Sequence, residues 1–266
     1  MMFRNTKWTQ SVLAGAVIAL CASVSANAQI RPKIVKLNDV PKVVLFVGNS
    51  YFYFNNSLHN HVLNLLRSAD PAGGYTATSA TIGGAPLSLH DVDALLSSHK
   101  RHSSSGEDGS NHKQFDAVIM ADCNWCSVDP KRKPAFAETV AKDSAIVRKY
   151  GAAPVLFMTW AYADKPEMTD KLAAVYTAVG NDNDALVIPA GLAFARARTL
   201  RPELALNVPD KSHPSLAGTY LAACVVMASV YRRSPVGNKY HADLDDQTAA
   251  FLQDVAWATV QDYYRQ

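Results

Sequence analysis

The sequence predicts an α/β protein built on one doubly wound, mainly parallel sheet of five strands. Short, uninterrupted apolar runs alternate along the chain with segments whose apolar residues recur at helical spacing. Uninterrupted runs are typical of strands that are buried on both faces, as in a parallel sheet with helices on each side. Because neither a linker-like stretch nor an internal repeat breaks this alternation, we expect one layered domain.

Five apolar runs are predicted to form the strands of this sheet. The first is the clearest, because no polar residue interrupts Val43–Val47. The second ends at the pair Gly83-Gly84, which favours a turn. The predicted strands are Val43–Val47, Tyr75–Ile82, Val118–Met120, Pro154–Thr159 and Ala185–Ile188.

Helical segments fill the intervals between these strands. The first follows Asn56 and Ser57, either of which suits an N-cap, and its apolar residues from Leu58 to Leu66 recur at helical spacing. A long surface loop is predicted over Ser97–Gln114, which is rich in serine, glycine, histidine and charge. The other predicted helices are Leu87–Leu96, Ala135–Tyr150, Met168–Val179, Pro214–Tyr231 and an amphipathic segment from Leu244 to Val255.

The first 28 residues have the pattern of a secretory signal peptide. Arg4 and Lys7 form a basic start, Val12–Val24 is almost wholly apolar, and Ala26-Asn27-Ala28 is a small-x-small cleavage site. Cleavage after Ala28 would leave residues 29–266 as the single domain, periplasmic or extracellular and without stable membrane insertion. An uncleaved N-terminal anchor is the alternative, although the apolar run is short for a membrane span.

Composition and charge exclude several classes of protein. Hydrophobic residues make up 48% of the chain and charged residues 18%, which is unlike a disordered chain, a collagen-like repeat or a coiled coil. The precursor has 26 Lys+Arg against 23 Asp+Glu, and removing Arg4 and Lys7 leaves 24 − 23 = +1. A balance this close to neutral gives no basis for a nucleic-acid partner.

Three cysteines follow the predicted cleavage site. Cys123 and Cys126 are spaced for a tight disulfide in an exported protein, which would leave Cys224 free. Free thiols, and redox or metal chemistry at this pair, are the alternatives. No second Cys or His pair has finger-like spacing, and the histidines of the predicted loop (His99, His102 and His112) are interpreted as solvated residues. No metal or other cofactor is therefore predicted.

Polar residues follow the predicted strands, at the sheet edge where ligands bind in doubly wound folds. Ser50 comes directly after the first strand, whereas Asp210 and His213 follow the fifth after a longer excursion. A serine needs a base to become a nucleophile, and an imidazole base needs a carboxylate to orient it. Donors for an oxyanion would be the backbone N–H groups of Ser50 and the Gly-Gly turn, together with an asparagine amide.

These residues resemble the motifs of the SGNH hydrolase superfamily, also called GDSL esterases. Gly48-Asn49-Ser50 resembles the first block of the family, in the Gly-Asn-Ser variant of a bacterial subfamily, and Gly84, rather than Gly83, resembles the glycine of the second block. Asp210 and His213 resemble the last block. The similarity runs from about Val43 to Pro235 and includes His213-Pro214-Ser215, Gly218-Thr219-Tyr220-Leu221 and Thr159-Trp160-Ala161.

The third block departs from the family pattern Gly-x-Asn-Asp. This chain has Ala121-Asp122-Cys123-Asn124 after the third strand. Asn124 is interpreted as the oxyanion amide that the resemblance implies, beside the backbone N–H groups of Ser50 and Gly84. A slipped register that places Asp122 at this position is the alternative.

The resemblance implies a three-layer α/β/α, flavodoxin-like fold and ester hydrolysis by Ser50, His213 and Asp210 without a metal. The signature G-x-S-x-G of the commoner esterase fold is absent, since Phe52 stands two residues after Ser50.

The predicted substrate is a small-molecule or polysaccharide ester, specifically an O-acetylated carbohydrate. Export and the aromatic residues near the site favour it, with Tyr51, Trp125 and Trp160 expected to stack on sugar rings, and Phe52 and Tyr162 expected to pack in the core. Two alternatives stay open, namely a lipid or thioester hydrolase of the same fold and an inactive carbohydrate-binding or surface protein.

Overall fold

Five parallel strands form the centre of the protein. The computed structural model describes residues 1–2, 30–98 and 113–265. The strands are β1 (Val43–Gly48), β2 (Thr76–Thr81), β3 (Ala117–Met120), β4 (Ala153–Phe157) and β5 (Leu186–Ile188), in the order β2-β1-β3-β4-β5. The order reverses at β1, which confirms the predicted doubly wound parallel sheet. The predicted signal peptide and the histidines His99, His102 and His112 lie outside the described residues.

Helices cover both faces of the sheet. On one face, residues of α2, α6, α7 and α8 share a core cluster with Val44 and Phe46 of β1, and on the other, residues of α3, α4 and α5 share a cluster with Leu45 and Val47. This two-sided burial explains why β1 is an uninterrupted apolar run. The helices are α1 (Ser50–Tyr53), α2 (Leu58–Ala69), α3 (Val92–Ser98), α4 (Lys133–Lys149), α5 (Met168–Asp182), α6 (Ala190–Leu200), α7 (Leu216–Val230) and α8 (Asp246–Tyr264).

The helices differ from the sequence prediction in several places: α1 was not predicted, and α8 continues to Tyr264, beyond the predicted end at Val255. The predicted helix Leu87–Leu96 is a 3₁₀ turn over Leu87–Leu89 followed by α3, because His90 between them has an extended backbone. Helix α6 was not predicted, since its buried face consists largely of alanine and gives no strong apolar stripe. Ser57 occupies the N-cap of α2, but its hydroxyl donates to the Phe52 carbonyl instead of capping the helix.

Helix α7 is the most deeply buried of the helices. Nearly all of its residues lie in the core, where it packs between α2 and α8 and beneath the sheet. It begins shortly after His213, so the core fixes the segment that carries this histidine. No helix in the described part of the chain combines the length and the apolar character that a bilayer span requires.

Candidate active site

The turn after β1 places Ser50 at the carboxyl edge of the sheet, next to the point where the strand order reverses. Asn49 caps α1, with its Oδ1 accepting from the Tyr51 N–H at 3.2 Å. Its Nδ2 donates to the Ala85 carbonyl at 3.1 Å, which ties the turn after β1 to the loop after β2. Gly48 is required here, because a Cβ would lie 2.8 Å from the Phe52 ring.

Ser50, His213 and Asp210 lie in one hydrogen-bonded line. His213 Nε2 is 2.8 Å from Ser50 Oγ, and its Nδ1 is 2.6 Å from Asp210 Oδ2. A carboxylate only accepts, so Nδ1 carries the proton and Nε2 is left to accept from the Ser50 hydroxyl. The three residues predicted from sequence to act together are therefore in contact, in an order that allows a proton to pass from Ser50 to His213.

Asp210 is held in its ionised form by the loop that carries it. Its Oδ1 accepts from the backbone N–H groups of Ser212 and His213 at 2.8 and 2.9 Å. Although burial acts to raise it, the hydrogen bonds from His213 and these two amides hold the pKa of Asp210 below its ordinary value. Asp210 therefore stays a carboxylate through the range in which histidines titrate.

Three side chains fix Ser212, the residue before His213. Trp160 Nε1 and Asn207 Nδ2 both donate to its carbonyl at 2.9 Å, and the Tyr51 hydroxyl lies 2.7 Å from its Oγ. These three contacts fix the backbone directly before His213. Neither Asn207 nor Ser212 carries a sequence pattern that would have identified it.

Burial corrects the substrate-binding prediction for Trp160 and Tyr51. Trp160 is 0% exposed and its ring stacks on Phe194 with centroids 4.1 Å apart. Tyr51 is also buried. A ring buried in this way cannot stack on a sugar, so both residues support the His213 loop instead. Trp125 differs, with 38% of its surface exposed and the Arg132 guanidinium 4.3 Å from its ring centroid.

The three residues predicted to supply oxyanion donors, Ser50, Gly84 and Asn124, follow the ends of β1, β2 and β3. Gly84 has a φ of +69°, a left-handed conformation that favours glycine and accounts for it at this turn. The Asn124 side chain is 1% exposed, and its Nδ2 has no partner of good hydrogen-bond geometry within the described chain. The Tyr162 hydroxyl is its polar neighbour: Asn124 acts to lower the pKa of Tyr162, against the larger effect of burial, which raises it. A buried amide without a partner is costly unless a ligand or water completes it.

Asp122 has a different environment from Asn124. Its Oδ1 accepts from the Leu87 and Cys123 N–H groups at 2.9 and 2.8 Å, so the side chain ties the loop after β3 to the loop after β2. Burial raises the pKa of Asp122, against these hydrogen bonds. Asp122 Oδ1 therefore has two backbone partners, whereas the Asn124 amide has none.

A disulfide joins Cys123 and Cys126 around Asn124, and Cys224 is a buried free thiol. Asp122 lies close to both sulfurs. The two sulfurs are bonded to each other, so they do not offer thiolate ligands to a metal. Of the alternatives left open by the sequence, the structure has the disulfide between Cys123 and Cys126.

Comparisons with known proteins identify the fold. No family model matches the chain, and no curated protein matches it. Among solved structures, a Slackia heliotrinireducens protein assigned to the SGNH hydrolases is 24% identical over 70% of this chain and 97% of its own, with a TM-score of 0.51. A DUF4886 family protein from Bacteroides uniformis is 19% identical over 84% of this chain and 96% of its own, with a TM-score of 0.55.

A third similar structure is an acetylxylan esterase from Geobacillus stearothermophilus. It is 15% identical over 76% of this chain and 96% of its own, with a TM-score of 0.51. These similarities confirm that the chain has the fold of SGNH hydrolases and GDSL-like esterases.

Proposed function

We propose that this protein is an exported serine esterase that removes acetyl groups from carbohydrates, using Ser50 as nucleophile, His213 as base and Asp210 as its orienting carboxylate. The observation that carries the proposal is the line of contacts from Ser50 to His213 to Asp210 at the carboxyl edge of the sheet. The Gly48-Asn49-Ser50 turn supports placement in the Gly-Asn-Ser subfamily. Export rests on the sequence of residues 1–28 and suits a chain with a disulfide.

Acylation begins as His213 Nε2 takes the proton of Ser50. The Ser50 Oγ forms a bond to the ester carbonyl carbon, and the carbonyl π electrons move onto oxygen. The backbone N–H groups of Ser50 and Gly84 and the Asn124 amide would donate to this oxyanion. When the intermediate collapses, the bond from carbon to the alcohol oxygen breaks and the His213 imidazolium protonates the leaving alcohol.

Deacylation repeats these steps with water in place of Ser50. His213 removes a proton from water as its oxygen attacks the acyl carbon, and then returns that proton to Ser50 Oγ as the acyl bond breaks. Asp210 stays ionised throughout and stabilises the imidazolium in both halves of the cycle. The cycle consumes one ester and one water, and releases one alcohol and one carboxylic acid.

Two observations support an acetylated carbohydrate as the substrate. One of the similar structures is an acetyl-xylooligosaccharide esterase from Geobacillus, and another is a different protein described as an acetyl xylan esterase. Trp125 is an exposed aromatic ring on the loop that carries Asn124, and such rings suit the apolar faces of sugars. The proposed acyl group is therefore acetyl, and the proposed alcohol is a sugar hydroxyl.

A substrate panel tests this function. Acetylated xylooligosaccharides and acetylated monosaccharides are compared with aryl acetate, aryl octanoate and acetyl-CoA, with Ser50→Ala as the inactive control. We expect acetyl esters of sugars to have the highest kcat/KM. A preference of about tenfold or more for the octanoate or the thioester would instead support a lipid or thioester hydrolase. No turnover and no labelling by a serine-reactive phosphonate would indicate a binding protein.

Substitution of Asn124 tests the oxyanion assignment. Asn124→Ala should lower kcat by roughly 10²–10³ with little change in KM, because the donor acts on charge that exists only in the transition state. Steady-state kinetics on an acetyl ester measures the effect. Reducing the Cys123–Cys126 disulfide should cause a milder loss, because the loop is freed while the amide remains.

Asp122→Ala is the matched comparison on the same loop. Removing a buried carboxylate that accepts two backbone N–H groups should lower the melting temperature, with a smaller loss of kcat in the folded protein than Asn124→Ala causes. If Asp122→Ala loses most of its kcat while Asn124→Ala keeps a nearly normal kcat, the assignment of Asn124 to the oxyanion position is wrong.

A further inference from the structure

The ring of Phe54 lies flat against the imidazole of His213. The ring centroids are 4.3 Å apart and the two planes differ by 10°. Ser50 and Asp210 both contact His213 at the edge of the imidazole, through its nitrogens. Phe54 therefore contacts the face of the imidazole, which Ser50 and Asp210 do not.

The backbone turns sharply directly after Phe54. The three residues that follow it, Asn55, Asn56 and Ser57, have φ values of 51°, 64° and 70°. Positive φ values are uncommon for residues other than glycine, although asparagine adopts them more readily than most. We call Phe54–Ser57 the 54–57 turn.

Asn55 anchors the 54–57 turn to the segment that follows His213. Its Nδ2 donates to the Pro214 carbonyl at 2.9 Å and to Thr219 Oγ1 at 2.8 Å. Phe54 is thus attached to the backbone one residue beyond the imidazole that it covers. The Asn55 amide therefore links the turn after Phe54 to the segment after His213.

A buried histidine on α2 holds Asn55 from the other side. His61 Nε2 donates to the Asn55 carbonyl at 2.5 Å, and the Tyr240 hydroxyl lies 2.8 Å from its Nδ1. Burial lowers the pKa of His61, against the hydrogen bond to Asn55 and the charge of Asp243. His61 is therefore neutral near pH 7, with its proton on Nε2, and the contact with Asn55 is maintained.

We propose that Phe54 is a positioning residue for His213, whose aromatic face keeps the imidazole in line between Ser50 and Asp210 and stabilises its cationic form. A cation over an aromatic face is attracted by the ring quadrupole, and His213 becomes a cation when it takes the proton of Ser50. The effect on turnover rests on the proposed function, whereas the effect on the charge of His213 does not.

None of the other groups described around His213 stacks an aromatic face on its imidazole. Asp210 provides the only charged contact within the described chain that the imidazole makes. The Tyr51 ring centroid is 5.8 Å away and its plane is inclined by 50°. Burial raises the pKa of Tyr51, so its hydroxyl stays neutral. The Lys211 ammonium pairs with Asp164.

Phe54→Leu and Phe54→Tyr separate the aromatic face from apolar packing. Leucine keeps an apolar side chain without a π face, whereas tyrosine keeps the face. An NMR titration of the His213 imidazole, identified by the resonance lost in His213→Gln, measures its charge without substrate. We expect Phe54→Leu to move the titration midpoint to lower pH by about half a unit, and Phe54→Tyr to leave it near wild type.

Kinetics provides the second readout. Phe54→Leu should lower kcat on an acetyl ester by about two- to fivefold with KM nearly unchanged, and Phe54→Tyr should restore it. An unchanged midpoint in a folded Phe54→Leu variant would overturn the inference, whatever the activity. A shifted midpoint in a protein that hydrolyses no ester would keep the inference and refute the proposed function. Phe54→Met repeats the test if the leucine variant does not fold.

Discussion

Ser50→Ala is expected to remove nearly all hydrolytic activity while leaving the fold intact. Ser50 bonds to His213 through its hydroxyl, whereas the Asn49 cap that shapes the turn uses the Tyr51 N–H, so alanine removes the nucleophile and leaves the cap in place. Loss of a nucleophile that works as a unit with its base typically lowers kcat by about 10⁴–10⁶. Initial rates on an acetyl ester, measured with purified protein at high enzyme concentration, determine the loss.

The control for Ser50→Ala is a serine elsewhere at the same edge of the sheet. Ser88 lies in the 3₁₀ turn Leu87–Leu89 and is exposed, so Ser88→Ala should keep wild-type turnover. Covalent labelling by a serine-reactive phosphonate should disappear in Ser50→Ala alone. Retention of more than a few per cent of wild-type turnover by a well-folded Ser50→Ala protein would be incompatible with the serine mechanism.

The sheet could be predicted from sequence because its strands are buried on both faces. Burial on both faces requires uninterrupted apolar residues, and this pattern is readable in Val43–Val47 without any tertiary information. The carboxyl ends of parallel strands share one edge, so Ser50, Gly84 and Asn124 could be assigned to that edge in advance. Helix α6 could not be predicted, because small alanine side chains pack closely without a strong apolar stripe.

The support around His213 could not be predicted, because it depends on contacts between distant segments. Phe54 and Asn55 precede His213 by more than half of the chain, and the left-handed backbone that joins them is imposed by tertiary contacts. Trp160 is a residue to which the sequence assigned the wrong role, sugar binding. A tryptophan near a strand end is compatible with both a sugar platform and a core residue, and only its burial distinguishes them.

His213→Ala should lower kcat as far as Ser50→Ala does, whereas Asp210→Asn should retain more activity. His213 moves the proton in every step of the proposed cycle, while Asp210 orients the imidazole and stabilises its charge without taking up a proton. In a comparable triad the carboxylate variant keeps roughly 100 times more activity than the histidine variant. The Asp210 side chain is 45% exposed, so water can partly replace it.

The pH dependence of the rate is an independent test of His213 as the base. The rate of the wild-type protein should fall on the acid side of its pH profile, because a protonated His213 cannot accept the Ser50 proton. Asp210 does not add to this limb, since its pKa is held below its ordinary value. A flat kcat/KM between about pH 5 and pH 8, or a His213→Ala variant as active as Asp210→Asn, would contradict His213 as the base.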